Sequence, residues 1–215
     1  MVGFSLAIFV GTILSVMVSD NFLGLAMVGL VGLVGFLVSS SSGKARSVAK
    51  IIDMAHLGGV EICLDLGCGT GRVLVELAGA LDRGFVVGID RWRKADQFPN
   101  GPEIARRNLV DLSPPGRWAV ISGDGLSLPF RSGSFTLVAS NLMLHNVRGA
   151  HGKFQVLREI ARVLAPGGLV IISDVGMSRR YIPALKALGL GEFQFRGSPP
   201  WYFAPNGVLS ARLTA

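Results

Sequence analysis

Val2 to Val18 and Phe22 to Val38 are two uninterrupted apolar runs of about 17 residues each, separated only by Ser19, Asp20 and Asn21. Apolar on all sides and at the short end of what spans a bilayer as helix, they predict two transmembrane segments. A turn that short forces them antiparallel, so residues 1–38 read as a hairpin. A cleaved signal peptide would want a basic stretch before Phe4, which is missing. Two buried core helices would want more protein around them than this chain supplies. Residues 39–59 form the next unit, in which Ser39 to Gly43 is a short polar linker. From Lys44 to Leu57 the period becomes helical, with Val48, Ile51, Ile52 and Ala55 on one side and Lys44, Arg46 and Lys50 on the other.

From residue 60 to 215 strand and helix patterns alternate. Apolar strands are expected at Ile62 to Leu66, Phe85 to Ile89, Trp118 to Ser122, Phe135 to Ser140 and Leu169 to Ser173. Amphipathic helices are expected at Arg72 to Leu81, Glu103 to Leu112, Lys153 to Leu164 and Tyr181 to Leu188, and strand-like stretches close the chain around Phe193 to Phe195 and Val208 to Leu213. Repeated strand–helix order followed by a strand pair is the plan of an α/β, doubly wound, Rossmann-like sheet with an antiparallel pair at its C-terminal end.

Composition sharpens the membrane reading. Half of the 215 residues are hydrophobic and only 16% are charged, against roughly 25% in ordinary soluble domains. The imbalance is local, since Asp20 is the one formally charged side chain before residue 39. The first basic residues follow the second run, which places the hairpin's ends and the domain after it in the cytoplasm. An integral membrane protein with residues 60 to 215 in the cytoplasm is therefore expected. The net charge of +7 comes without a long Lys/Arg run, which points to an anionic membrane surface or a plain basic protein and away from nucleic acid. Gly24, Gly29, Gly32 and Gly35 let helices approach closely, as a seam within the hairpin or as a contact between two copies of the chain, a homo-oligomer. Cys63 and Cys68 fit neither a redox pair nor a zinc site, and no His, Cys and acid set has metal-ligand spacing.

The stretch ICLDLGCGTGRV, Ile62 to Val73, carries the candidate chemistry. It reads as strand, glycine loop, helix, and glycines let the backbone come within contact distance of a ligand. Dinucleotide enzymes want G-x-G-x-x-G, and Arg72 stands where the third glycine would be. Asp90, at the tip of the second strand, is placed to accept hydrogen bonds from ribose hydroxyls. Asp65, Gly67, Gly69 and Gly71 instead resemble motif I of the class I S-adenosylmethionine-dependent methyltransferases. GDGLSLPF from Gly123 resembles that family's motif after the third strand, and RVLAPGGLVIISD from Arg162 resembles its helix-to-fifth-strand signature. The whole is most similar to the small-molecule and lipid methyltransferases called type 11, and GIDRWRKADQ and SNLMLHNV resemble a membrane-associated prokaryotic branch.

The resemblance implies S-adenosyl-L-methionine as cofactor, held by Asp65, Gly67, Cys68, Gly69, Thr70, Gly71, Asp90, Arg91, Asp124, Gly125 and Asn141. Asp124 would bond the adenine amino group, and the Gly125 amide a ring nitrogen. Thr136 replaces the family's acid near the start of the fourth strand, and Ser140-Asn141-Leu142-Met143 stands where amino-methylating members carry Asp/Asn-Pro-Pro-Tyr. Nitrogen of adenine or glutamine is therefore disfavoured as acceptor, and the absence of cysteine in the later strands leaves covalent catalysis unsupported. His145, in the loop after the fourth strand, is the best-placed base, with Asp174 and Tyr181 as weaker candidates. The function read here is methyl transfer to a small, lipidic or membrane-borne acceptor. A membrane-tethered cofactor-binding scaffold and a nucleotide-dependent oxidoreductase are the alternatives.

Overall fold

The computed structural model describes residues 24, 27, 29–30, 45–93, 101–112, 116–175, 178–197 and 206–214. Two compact units divide the chain, Met1–Ser42 and Gly43–Ala215. Gly24, Met27, Gly29 and Leu30 are helical; otherwise the expected hairpin, the linker and the 94–100 connection lie outside the described residues. Among the described residues no helix is long and apolar enough to cross a membrane.

In the second unit, α1 (residues 45–55) precedes β1 (Ile62–Leu66), α2 (Arg72–Ala80), β2 (Phe85–Asp90), α3 (Pro102–Leu112) and β3 (Trp118–Ser122). Then follow β4 (Phe135–Asn141), α4 (Gly149–Val163), β5 (Leu164–Val175), α5 (Ile182–Ala187), β6 (Leu190–Arg196) and β7 (Asn206–Leu213). The sheet order is β3-β2-β1-β4-β5-β7-β6. Strands β1 to β5 run parallel, whereas β7 is antiparallel to both β5 and β6. The strand–helix alternation fails once. Between β3 and β4 the chain has no helix, because Gly123, Gly125, Pro129 and Gly133 break up a connection that makes only turns and the Asp124–Ser127 bridge.

Both faces of the sheet are covered, which is why its central strands read as continuous apolar runs. Successive residues alternate between two cores. Cys63, Val86, Leu137, Ala139 and Ile171 pack with α1, α2 and α3. Leu64, Val138, Val170 and Ile172 pack with α4 and α5. Ile51 of α1 is fully buried, and Val48, Met54 and Ala55 join it, so this helix belongs to the core of the domain. Its polar side is also engaged: Lys50 donates to the Gly197 carbonyl at 2.9 Å, and Asp53 pairs with Arg196.

The chain leaves β1 outward through β2 to β3 and then crosses back to β4. Between β1 and β4 the order reverses, and such a switch point leaves a crevice at the carboxyl ends of the strands. Motif and topology converge there.

Candidate functional site

Gly67 begins the loop at the end of β1 with φ +77°, a conformation that glycine adopts without steric cost. A β-carbon there would lie 2.3 Å from Met143 Cγ, so the loop after β4 rests directly on the glycine loop. The Gly67 and Cys68 amides both donate to the Ile89 carbonyl, at 2.8 and 3.2 Å, hooking the loop onto β2. The Gly69 amide donates to Asp90 Oδ2 at 3.0 Å, and the Trp92 amide to Asp90 Oδ1 at 2.7 Å. Asp90 thus clamps the glycine loop to the tip of β2. The carbonyl of Thr70 accepts from Asn108 of α3 at 2.9 Å, and Gly71, φ +83°, is the N-cap of α2.

Asp65 is buried, and its Oδ2 has no hydrogen-bond partner. Burial first, and the Asp90 charge second, push its carboxyl up to about 8, against the opposing effect of the Leu74 amide at the start of α2. The Cys68 side chain is packed under the loop, where a β-carbon on Gly88 would meet its sulfur at 3.0 Å. Burial, then Asp65 and Asp90, push its thiol far up, and burial and Glu61 raise Cys63 to about 12. Both sulfurs are buried and pushed toward the thiol form, an environment that disfavours nucleophilic chemistry at either.

Arg91 and Asp124 meet across the tips of β2 and β3, Nη1 to Oδ2 at 3.5 Å. Asp124 Oδ1 also accepts from the Leu126 amide at 3.0 Å, which turns Gly125 at the corner. Trp92, with φ +56°, closes the same edge by donating its indole Nε1–H to Ser122 Oγ at 2.8 Å. The aromatic had a sequence signal, lying just past the tip of a parallel strand where ligand loops cluster; its left-handed backbone had none. Farther along, Arg162 donates to the Leu128 and Phe130 carbonyls at 3.0 and 2.8 Å and pairs with Glu159, which accepts from the Leu128 amide at 2.7 Å. Those bonds hold the loop after β3 against α4.

At the end of β4, Asn141 lies opposite Ser173 of β5. Asn141 Oδ1 and the hydroxyls of Ser140 and Ser173 are buried without partners. A 3₁₀ turn, Leu144–Asn146, then presents His145. His145 Nδ1 lies 2.7 Å from Asp174 Oδ1, and Asp174 Oδ2 accepts from Arg180 at 2.9 Å and from the Tyr181 hydroxyl. Arg180 went unnoticed in the sequence, although it too follows the tip of a parallel strand. The structure therefore gathers the predicted residues into two groups, the glycine loop with Asp90, Arg91 and Asp124, and the His145–Asp174 pair. Thr136 is elsewhere: its hydroxyl accepts from the Ile62 amide at 3.0 Å, tying β4 to β1 at their amino ends. A cavity of about 230 Å³ opens at that same end, lined by His56, Glu61, Thr136 and Arg212 among others, well away from the loop. No group of His, Cys, Asp and Glu that could hold a metal occurs among the described residues.

Residues 64–172 match the family model described as "Methyltransferase domain". Two curated relatives are a tRNA (carboxymethyluridine(34)-5-O)-methyltransferase, ALKBH8, from Mus musculus, and a demethylmenaquinone methyltransferase from Roseiflexus castenholzii. The first is 30% identical over 56% of this chain and 16% of its own length, and the second 33% identical over 54% and 44%. The chain thus spans less than half the length of either. Among solved structures, the [4+2]-cyclase SpnF superposes with a TM-score of 0.66 at 16% identity, covering 79% of this chain and 81% of that one. At that identity the likeness is one of fold.

Proposed function

Because the chain belongs to the Methyltransferase domain family, we propose that it transfers a methyl group from S-adenosyl-L-methionine to a small acceptor that is lipidic or membrane-borne. The observation that carries this reading is the glycine loop held open at the switch point by the Asp90 carboxylate, bonded to the Gly69 and Trp92 amides. The donor set fits the cofactor. Asp65 and Asn141 keep buried acceptor oxygens without partners, next to a loop whose Gly67 leaves no room for a β-carbon, and a polar, cationic ligand satisfies such acceptors.

In this reading Asp65, the loop from Gly67 to Gly71, and Asn141 hold the amino-acid end. Asp90 and Arg91 serve the ribose, and Asp124 and Gly125 the base. Cys68 contributes its backbone, its thiol being part of the core. When bound, the cofactor supplies an electrophilic methyl group: the acceptor's lone pair takes the carbon as the carbon–sulfur bond breaks, its electron pair staying on sulfur. The chain's contribution is alignment, exclusion of water and the movement of a proton. His145, at the rim of the site, is the base. A lipidic acceptor is supported by the two apolar runs before residue 39 and by the relative named for demethylmenaquinone. The same runs, read as a transmembrane hairpin, would hold the domain on the cytoplasmic side and supply any contact between copies.

Calorimetry tests the cofactor, and mass spectrometry the acceptor. S-adenosylhomocysteine is expected to bind the purified full chain while NAD and NADP do not. Lipid extracts from cells with active protein should contain a species heavier by one CH2 unit than extracts without it. Binding of NAD in place of S-adenosylhomocysteine would overturn the reading.

A further inference from the structure

Asp174 is buried at the tip of β5, and every group that touches it is a donor. His145 Nδ1 lies 2.7 Å from Oδ1, while Arg180, at 2.9 Å, and the Tyr181 hydroxyl both reach Oδ2. Arg180 also bonds the Tyr181 hydroxyl at 2.9 Å, so these two side chains jointly occupy Oδ2 while His145 alone occupies Oδ1. An ionised carboxylate only accepts hydrogen bonds. The contact with His145 therefore requires the proton on Nδ1, which leaves the lone pair of the neutral imidazole on Nε2. Among the described residues Nε2 has no partner, and the His145 side chain is 34% exposed. Met143, two residues earlier, touches Gly67, so this imidazole stands at the rim of the glycine-loop crevice.

We infer that Asp174 is the positioning residue that fixes the tautomer and direction of His145, and that the acceptor carries a hydroxyl whose proton His145 Nε2 removes. The inference rests on the methyl-transfer reading and adds the class of acceptor. A carboxylate acceptor has no proton to lose, and a neutral amine attacks with its own lone pair and sheds a proton to water afterwards. A hydroxyl is a poor nucleophile until its proton departs, which makes an oriented base useful for it. In the step, the O–H bond breaks, its electron pair stays on oxygen, and the proton becomes the N–H of Nε2. The resulting imidazolium lies against Asp174, so the new positive charge forms beside a negative one already in place. Burial alone would raise the Asp174 carboxyl, but the bonds from His145 and Tyr181, with Arg180, more than offset it and hold it below the usual range. These three donors thus hold Asp174 as a standing anion.

The chain has three histidines, so nitrogen-15 spectra of the histidine-labelled full chain are simple, and His145→Gln assigns the signal. Neutral wild-type His145 is expected in the Nδ1–H form, shifting toward Nε2–H in Asp174→Asn. A wild-type Nε2–H form overturns the positioning role without needing any variant to fold. For the acceptor, the full chain is incubated with membrane lipid extract and methyl-labelled S-adenosylmethionine. Label released as methyl iodide by hot hydriodic acid, and stable to mild base, is expected of a hydroxyl acceptor. Base-labile label, or label that resists hydriodic acid, overturns that half. Both variants should bind S-adenosylhomocysteine within about twofold of wild type while kcat falls by about a hundred- to ten-thousandfold and KM stays within a few fold. An unchanged kcat in Asp174→Asn overturns the inference with methyl transfer intact. Absence of S-adenosylhomocysteine binding in the wild type would instead overturn the methyl-transfer reading beneath it.

Discussion

Gly67 and Met143 are in van der Waals contact across the switch point, so close that a β-carbon on Gly67 would sit 2.3 Å from Met143 Cγ and 2.5 Å from its Cβ. The loop after β1 and the loop after β4 are therefore shaped against each other. Gly67→Ala should fail twice: its left-handed backbone costs an alanine about 1–2 kcal/mol, and the methyl displaces Met143. Titration with S-adenosylhomocysteine should show at least a tenfold loss. Adding Met143→Gly, which removes the Cβ as well as the Cγ, should recover the part caused by the clash and leave the backbone part. Full affinity in the single variant would show that the two loops move independently.

Asp90 spends both oxygens on backbone amides, from Gly69 and Trp92. Asp90→Ala removes these together with the carboxylate offered to the ribose. Cofactor binding should weaken by about 1.5–3 kcal/mol, the range for hydrogen bonds to a charged group. Wild-type affinity in that variant, measured calorimetrically, would take Asp90 out of the site.

Asp65 makes the fold lose stability as the pH rises from acid to neutral. Its carboxyl, near 3.9 in an unfolded chain, is pushed up to about 8 by burial and then by Asp90. The folded state therefore holds a proton that the unfolded state releases. The favourable contribution is complete below the unfolded value and is lost as pH rises through about 4 to 8. Melting temperature should decline over that window, and Asp65→Asn should flatten the decline. An equal slope in wild type and variant would show that Asp65 is ionised in the fold. A cationic ligand favours the ionised form, so binding at neutral pH should release protons, visible as a dependence of the calorimetric heat on the buffer.

Arg162 bonds two carbonyls of the loop after β3 and the Glu159 carboxylate. Arg162→Ala strips a largely buried acid of its partner and should destabilise the domain by about 2–4 kcal/mol in denaturant titrations. Lysine should restore little of it, because a single ammonium cannot reproduce the planar fork. A loss under about 0.5 kcal/mol, the range of ordinary surface changes, would show the loop to be held by other contacts.

Removing Met1 to Val38 separates binding from delivery. The residues around the glycine loop all lie after residue 60, so S-adenosylhomocysteine affinity should be unchanged. Turnover of acceptor embedded in vesicles should fall steeply, since a lipidic acceptor would otherwise have to expose its chain to water at roughly 0.8 kcal/mol per methylene. Equal turnover by the shortened chain would leave the segment as a dispensable anchor.

What could be read along the chain was local. Strands β1 to β4 fall within a residue or two of the apolar runs that predict them, because a covered parallel sheet demands continuous apolar strands. The glycine loop and the acid at the tip of β2 were legible because backbone conformation and strand ends are written in neighbouring residues. The extra length of β5 was not, since Ala165-Pro166-Gly167-Gly168 reads as a turn while the strand begins at Leu164. Tertiary folding alone decided that Asp90 bonds the loop amide of Gly69, 21 residues away, and that His145 meets Asp174, 29 residues on. It also put Met143 on Gly67 and turned the Cys68 sulfur into the core. Periodicity tells which face a residue occupies. Which side chains share a carboxylate depends on strand order and register, and these are settled by how the whole sheet buries both its faces.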